Sequence, residues 1–435
     1  MGQDNNEINR DRLFVISLLA LFTAGMSAAL RAAVAGDIKT SYLDGMDLAH
    51  SGALIAEALG VSFLGFAITL FLGSPLLDII GMKRMLLIAA FCFIVGTGLV
   101  VFSGLLGTGA SIYSFIWGGM LLSGVGWGCV EATINPLTTA LYQEEKTHRL
   151  NVLHAWWPAG IVVGGLSGVF ASELGLSWQM VLSLVVIPAG IFAYMCMGMT
   201  FPQTERAEKG VSFGQMMLEV VRRPSFLVWF GAMFLTAASE LAPGQWVDVA
   251  LTKLVGMRGV LLLVYVSGLM FVMRHFAGVL VHRLSNPGLL MFSSLLGACG
   301  LYLLSVANSP VTALVAATVW GIGVCYMWPT MLASVSERYP RGGSWMIGLI
   351  GSAGALSIYF VLPRLGAVYD QAKLEAAGGA EALAQLSGQP LDDVLAQAAS
   401  ESFQLVAVLP VVLIAVFGLL WVFERRSRIM KKQEV

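Results

Sequence analysis

The chain has 435 residues, of which 57% are hydrophobic and only 12% charged, with a formal net charge of -1. A soluble globular chain carries about 25% charged residues, so a water-facing surface cannot be covered here, and a set of soluble domains is excluded. The near-neutral balance also removes the global basic field that a nucleic-acid partner requires.

Read from the N-terminus, the polar stretch Met1–Arg12 precedes an apolar run with no small-residue cleavage site. This predicts a retained first span rather than a signal peptide. A span needs about 20 apolar residues, and such runs recur near 13–36, 52–73, 85–107, 111–142, 150–171, 179–201, 225–250, 259–283, 288–306, 310–335, 344–364 and 403–423. The expected fold is an all-α membrane protein with twelve transmembrane helices. The five cysteines, Cys92, Cys129, Cys196, Cys299 and Cys325, lie inside apolar runs without C-x-x-C spacing. Neither a disulfide framework nor a metal site is expected, and no cofactor.

An even span count puts both termini on one side. Eighteen Lys and Arg residues fall in the termini and the loops at 74–84, 143–149, 202–224, 282–287 and 336–343, against five in the opposite loops. The positive-inside rule makes the first side cytoplasmic. Short loops and the lack of an N-x-S/T sequon in the outer loops fit a bacterial inner (plasma) membrane. Loop 202–224 divides an N-terminal six-helix half, 1–201, from a C-terminal half, 225–435. The fourth span, G-C-V-E-A-T-I-N-P, and the tenth, G-I-G-V-C-Y-M-W-P, place Pro136 and Pro329 alike before short basic loops. That is weak support for two duplicated halves around a central cavity. Residues 366–402, between the last two spans, hold two short helix formers separated by Gly378–Gly379 and Gly388–Pro390. They are expected to lie over the cavity mouth or the membrane surface, with a solvated spacer as the other reading.

Two stretches carry a family resemblance. S-P-L-L-D-I-I-G-M-K-R, from Ser74 to Arg84, resembles the G-x-x-x-D-R-x-G-R-K signature of the major facilitator superfamily. G-V-L-V-H-R-L-S-N-P, from Gly278 to Pro287, resembles its second copy, each following the second helix of a half. In addition, G-C-V-E-A-T-I-N-P followed by L-N-V-L-H-A-W-W-P-A-G is similar to the fucose/galactose/glucose–proton symporter branch. The resemblance implies the major facilitator fold, with two pseudo-symmetric six-helix halves. It makes Glu131 the proton-linked residue near the sugar, and puts His154 and Trp157 where the branch has its sugar-binding glutamine and asparagine. The first-span acid of the branch is replaced by Arg31 and Ala32. Asp78 and Arg84 take the place of gating residues that latch the halves, with the helix beginning near Ser344 as the expected neighbour; a solvated topogenic loop is the bland reading.

Ionisable residues inside the spans are Arg31, Glu57, Glu131, His154, Glu240, Asp248, Arg274 and His275. An acid or arginine at mid-helix costs roughly 2.5–3.5 kcal/mol on insertion scales, so such groups pair, line a wet cavity or do both. Glu131 shares a helix face with Asn135, four residues on, and is read as the group that binds and releases a proton; the other reading is a structural acid paired with an arginine. Arg31 is either a fork for a carboxylate or for hydroxyls, or a charge partner for Glu57. In the seventh span, Pro243–Gly244 is expected to break the helix and to set Glu240, Gln245 and Trp246 around a bend, a mixture that suits sugar hydroxyls and ring C–H faces. Tyr326 is expected on the tenth-span wall, and Arg274 is the stronger cavity candidate of the Arg274–His275 pair.

The leading expectation is a monomeric secondary transporter in the lipid bilayer. It carries a small polyhydroxylated solute, sugar or sugar acid, with protons, although sodium would suit the same carboxylates. The alternative is an organic-anion uniporter or exchanger using Arg31 and Arg274 as an anion clamp. No nucleophile–base constellation, nucleotide loop or metal cluster points to an enzyme.

Overall fold

The computed structural model describes the backbone of residues 8–46, 51–255 and 259–433. The side chains of 244–260 lie outside the described set, and with them Gln245, Trp246 and Asp248. The described residues are almost entirely helical. The long elements in chain order are α1 (Arg10–Ile38), α2 (Ser51–Ile80), α3 (Met82–Val101), α4 (Ser111–Leu141), α5 (Lys146–Glu173) and α6 (Trp178–Met197). They continue as α7 (Phe226–Val255), α8 (Gly259–Arg274, prolonged over 277–284), α9 (286–305), α10 (Pro310–Arg338), α11 (Gly343–Ala377) and α12 (Gln389–Gln433). Each falls on an apolar run of the sequence.

Punctuation follows local chemistry. Asn9 caps α1 by accepting from the Arg12 amide at 3.0 Å. Gly81, at φ 88°, supplies the turn between α2 and α3 that a side chain would disfavour. Ser309 and Thr312 form a capping box with Pro310 at the start of α10, where a missing N–H costs nothing. The turn between α8 and α9 is the exception, because Ser285 itself takes φ 62° ahead of Pro287.

Among the described residues, ten helices are long and apolar enough to cross a membrane. Of the other two, α4 has the length at 31 residues but carries Glu131, Asn135 and several threonines, and α8 is interrupted after Arg274. Large apolar side chains on the outer surface remain exposed, Phe91 by 62%, Tyr194 by 74% and Val311 by 71%. Water would not tolerate such a continuous apolar exterior, whereas lipid does.

By internal contacts the chain forms two compact units, 1–227 with 332–356, and 228–331 with 357–435. The first unit therefore contains α1–α6 together with the end of α10 and the start of α11. Within it α1 and α5 pack through glycines: a Cβ on Gly25 would stand 2.2 Å from the Trp157 carbonyl oxygen, and one on Gly160 would stand 2.2 Å from the Phe22 carbonyl oxygen. Small residues permit this approach where no hydrophobic drive acts between helices.

Two expectations are corrected. Residues 366–402 do not form two short helices separate from the last two spans. They prolong α11 to Ala377 and begin α12 at Gln389, with only Ala380–Gln385 between. The prolongations bury Tyr369, Ala372, Ala398 and Ala399 in the apolar core of the second unit. Similarly, α7 is not broken at Pro243, since its backbone stays helical from Phe226 to Val255. Proline leaves the carbonyl four residues earlier without its helical partner, and the Ser239 carbonyl instead accepts from Trp320 Nε1 at 3.2 Å.

Candidate substrate-binding and coupling residues

In the first unit, α4 and α5 assemble a buried polar cluster. Trp127, Glu131 and Asn135 are spaced by four and share one face of α4. Asn135 Nδ2 donates to Glu131 Oε2 at 2.7 Å and to the Glu131 carbonyl at 2.8 Å. From α5, His154 Nε2 lies 2.9 Å from Asn135 Oδ1 and 3.8 Å from Glu131 Oε2. An amide oxygen only accepts, so Nε2 carries the hydrogen. The three residues are no more than 4% exposed. The result is a carboxyl, an amide and an imidazole in hydrogen-bonding contact, able to exchange a proton or to meet hydroxyl groups.

An aromatic stack adjoins the cluster. The Trp127 ring lies 3.9 Å from Phe66 and 4.4 Å from Trp157, with interplanar angles of 7° and 17°. Both faces of Trp127 are thus covered, and its buried Nε1 has no hydrogen-bond partner among the described residues. Trp157 is half-buried at the end of the stack. Trp127 was not among the sequence candidates. Its position one turn before Glu131 is the signal that would have found it.

On its other side the cluster is shut. Glu131 and Asn135 line a crevice with Leu70, Ser74, Leu332, Ser344 and Gly348 that has no free volume for a water molecule. The contact is close because Gly348 has no side chain: a Cβ there would stand 2.1 Å from Ser74 Oγ. The hydroxyls of Ser74 and Ser344 are buried without partners among the described residues.

Arg31 is not joined to this cluster. It is 6% exposed and donates to Ser27 Oγ at 2.7 Å, one turn back on α1. No carboxylate among the described residues pairs with it. Glu57 is exposed and accepts from Trp117 Nε1 at 3.3 Å, so the expected Arg31–Glu57 pair is absent.

The second unit holds its own buried charges. Arg274 and Glu240 are 2% and 5% exposed, and Arg274 Nη2 donates to Glu240 Oε1 at 2.7 Å. The reason lies in α10, whose helical pattern is interrupted at Cys325–Tyr326. The interruption frees backbone groups that must find partners. Arg274 Nε donates to the Cys325 carbonyl, and the Trp328 amide donates to Glu240 Oε2 at 3.1 Å. Tyr326, 1% exposed, donates its hydroxyl to the Met273 carbonyl at 2.9 Å. Glu240, Arg274 and Tyr326 therefore staple α7, α8 and α10 together. Gln245 and Trp246 lie outside the described side chains.

At the basic-loop end, Asp78 does not meet the start of α11. It accepts from Thr204 Oγ1 at 2.6 Å and from Arg206 Nε at 2.8 Å, with a further bond from Arg206 Nη2. Arg84 is exposed and forms no ion pair among the described residues.

No curated protein sequence matches the chain. Solved structures do. A variant of the fucose:proton symporter FucP of E. coli is 16% identical over 91% of this chain and 99% of its own, with a TM-score of 0.64. The proton:xylose symporter XylE, bound to 6-bromo-6-deoxy-D-glucose, is 14% identical over 93% and 94%, with a TM-score of 0.71. The human organic anion transporter MFSD10 is 14% identical over 94% and 100%, with a TM-score of 0.70. At these identities the likeness is one of fold. The sequence model of the Major Facilitator Superfamily matches residues 13–362, most of the chain, and the chain belongs to that superfamily of transporters.

Proposed function

We propose that the protein is a proton-coupled symporter of a small polyhydroxylated solute, a sugar or sugar acid, with Glu131 as the proton-linked carboxyl. The observation that carries the reading is the buried Glu131–Asn135–His154 cluster. A carboxyl bonded to an amide and beside an imidazole can change protonation without leaving a lone buried charge, because the neighbours rearrange their hydrogen bonds with it. The same atoms match hydroxyl donors and acceptors, and Trp157 supplies an apolar ring face beside them. Solute and proton then compete for or share one set of hydrogen bonds, which couples their binding. The proton:sugar symporters among the structural neighbours support this chemistry on this fold.

The orientation follows the loop charges: both termini cytoplasmic, in a bacterial inner membrane, with 202–224 joining two six-helix halves of a monomer. In a proteoliposome assay, Glu131→Gln is expected to abolish uphill uptake driven by a pH gradient while retaining counterflow exchange. Undiminished uphill uptake would remove Glu131 from the coupling role. A second reading, an organic-anion exchanger, is favoured by one observation: buried Arg31 has no carboxylate partner among the described residues. Its other proposed anion ligand, Arg274, is already committed to Glu240 and the Cys325 carbonyl. Competition of uptake by neutral sugars against sugar acids, with and without the pH gradient, separates the two readings.

A further inference from the structure

Apart from the Glu131 cluster, the first unit holds a network of charges at the basic-loop end, in the segment between α6 and α7. Residues 204–211 there touch three separate elements. Asp78, near the end of α2, gives one carboxylate oxygen to Thr204 and the other to Arg206. Glu205 accepts from Lys146, the first residue of α5, and from Lys209, each at 2.6 Å. Arg206 gives its remaining nitrogen to the Val211 carbonyl. On its far side, the Arg206 stem lies against Gly343, the first residue of α11, where a Cβ would come within 2.9 Å of Arg206 Cβ. Gly343 also takes φ 48°, which an L side chain would resist.

These groups are buried. Glu205 and Arg206 are 8% and 7% exposed, so solvent does not screen them as it screens a surface pair. Both carboxylate oxygens of Asp78 are engaged by the segment. Among the described residues, the acid therefore reaches α11 through Arg206, whose planar fork faces Asp78 and whose stem lies against Gly343. Parallel ties run beside it: Thr147 Oγ1 donates to Glu337 Oε1 at 2.7 Å, and Ser225 and Tyr339 share a hydrogen bond at 2.7 Å.

We propose that residues 204–211 are a detachable latch, in which Arg206 bolts the end of α2 to the turn that begins α11 and lets go when the basic-loop end of the transporter opens. The Glu205–Lys146 pair anchors the segment on α5 and holds Arg206 in register. Charge-assisted bonds in a forked geometry are strong when assembled and are lost together when the planes separate. A latch of this kind holds one closed state firmly without resisting motion once released. It makes the connecting segment a working part of the gate rather than a tether, whichever solute or ion is carried, and it does not depend on the role of Glu131.

The test is hydrogen–deuterium exchange on the full-length protein in nanodiscs, followed in peptides covering 76–86 and 336–346. Asp78→Asn and Arg206→Gln are each expected to raise exchange in both peptides by about ten-fold, the effect of losing a buried hydrogen bond to a charged group. The double variant should add little to either single one, and Arg206→Lys should give a smaller rise, because the charge stays while the fork is lost. If Asp78→Asn raises exchange at 336–346 and Arg206→Gln does not, the acid holds α11 without the segment and the proposal is overturned. Wild-type exchange in both single variants overturns it equally. Should Arg206→Gln not be recovered folded, Arg206→Lys decides alone: unchanged exchange at 336–346 counts against the latch.

Discussion

At the scale of single residues, the interior charges divide into two kinds. Glu131 sits among groups that can trade hydrogen bonds, whereas Arg274 and Glu240 are fixed by the backbone they satisfy. Removing one member of a fixed pair strands the other in a dry interior, which costs about 3–5 kcal/mol, while removing both can be neutral. Arg274→Met is thus expected to lower the melting temperature of the detergent-solubilised protein sharply, and Arg274→Met with Glu240→Gln to recover much of it. Equal losses in the single and double variants would show that the pair is not the unit that matters. This division was only partly legible in the sequence. Glu131 and Asn135 could be paired on paper because four residues make one helical turn. Glu240 and Arg274 lie on different helices, and nothing in their spacing indicates that a break in a third helix, at Cys325–Tyr326, supplies their remaining partners.

At the scale of elements, glycine decides how closely helices approach. Gly25 and Gly160 bring α1 and α5 into backbone contact, whereas Gly36, on the same α1, has open space where a side chain would go. Gly25→Ala and Gly160→Ala are expected to destabilise by about 1–3 kcal/mol, the cost of overpacking a filled interface, and Gly36→Ala to be close to neutral. Thermal unfolding of the three variants in one detergent checks this ordering. The apolar runs located every long helix, because length and hydropathy are local properties. They misjudged residues 366–402 and Pro243 for one shared reason: a helix continues or stops according to what its neighbours provide. The Trp320 indole relieves the carbonyl that Pro243 leaves open, and packing of Tyr369, Ala372, Ala398 and Ala399 prolongs α11 and α12 beyond the apolar spans.

At the scale of the whole molecule, the loops beyond the apolar belt carry a pH dependence of their own. Burial acts to raise the pKa of Glu205, but hydrogen bonds and charge from Lys146 and Lys209 outweigh it and hold the carboxyl below the ordinary glutamate range. A group whose folded pKa is depressed contributes stability above its unfolded pKa, roughly 4.3, and loses it as pH falls towards the folded value. The wild type should therefore melt higher than Glu205→Gln at pH 7, and the gap should close as pH is lowered through about 4. A gap that is constant with pH would separate the stability of the loop end from this carboxyl.

The sequence by itself determined that the chain lives in a bilayer, where its long helices lie and which family pattern it follows, because composition, run length and loop charge act on each segment separately. It also pointed to Glu131, Asn135 and His154, through one helical turn and one family resemblance. Only the tertiary structure decided which buried charge answers to which. Arg31 turned out to bond Ser27 rather than Glu57, Arg274 to hold Glu240 and Cys325, and Asp78 to meet Arg206. Those choices depend on the partners available at each depth once the helices have packed, and residues distant in the chain acquire that proximity only on folding.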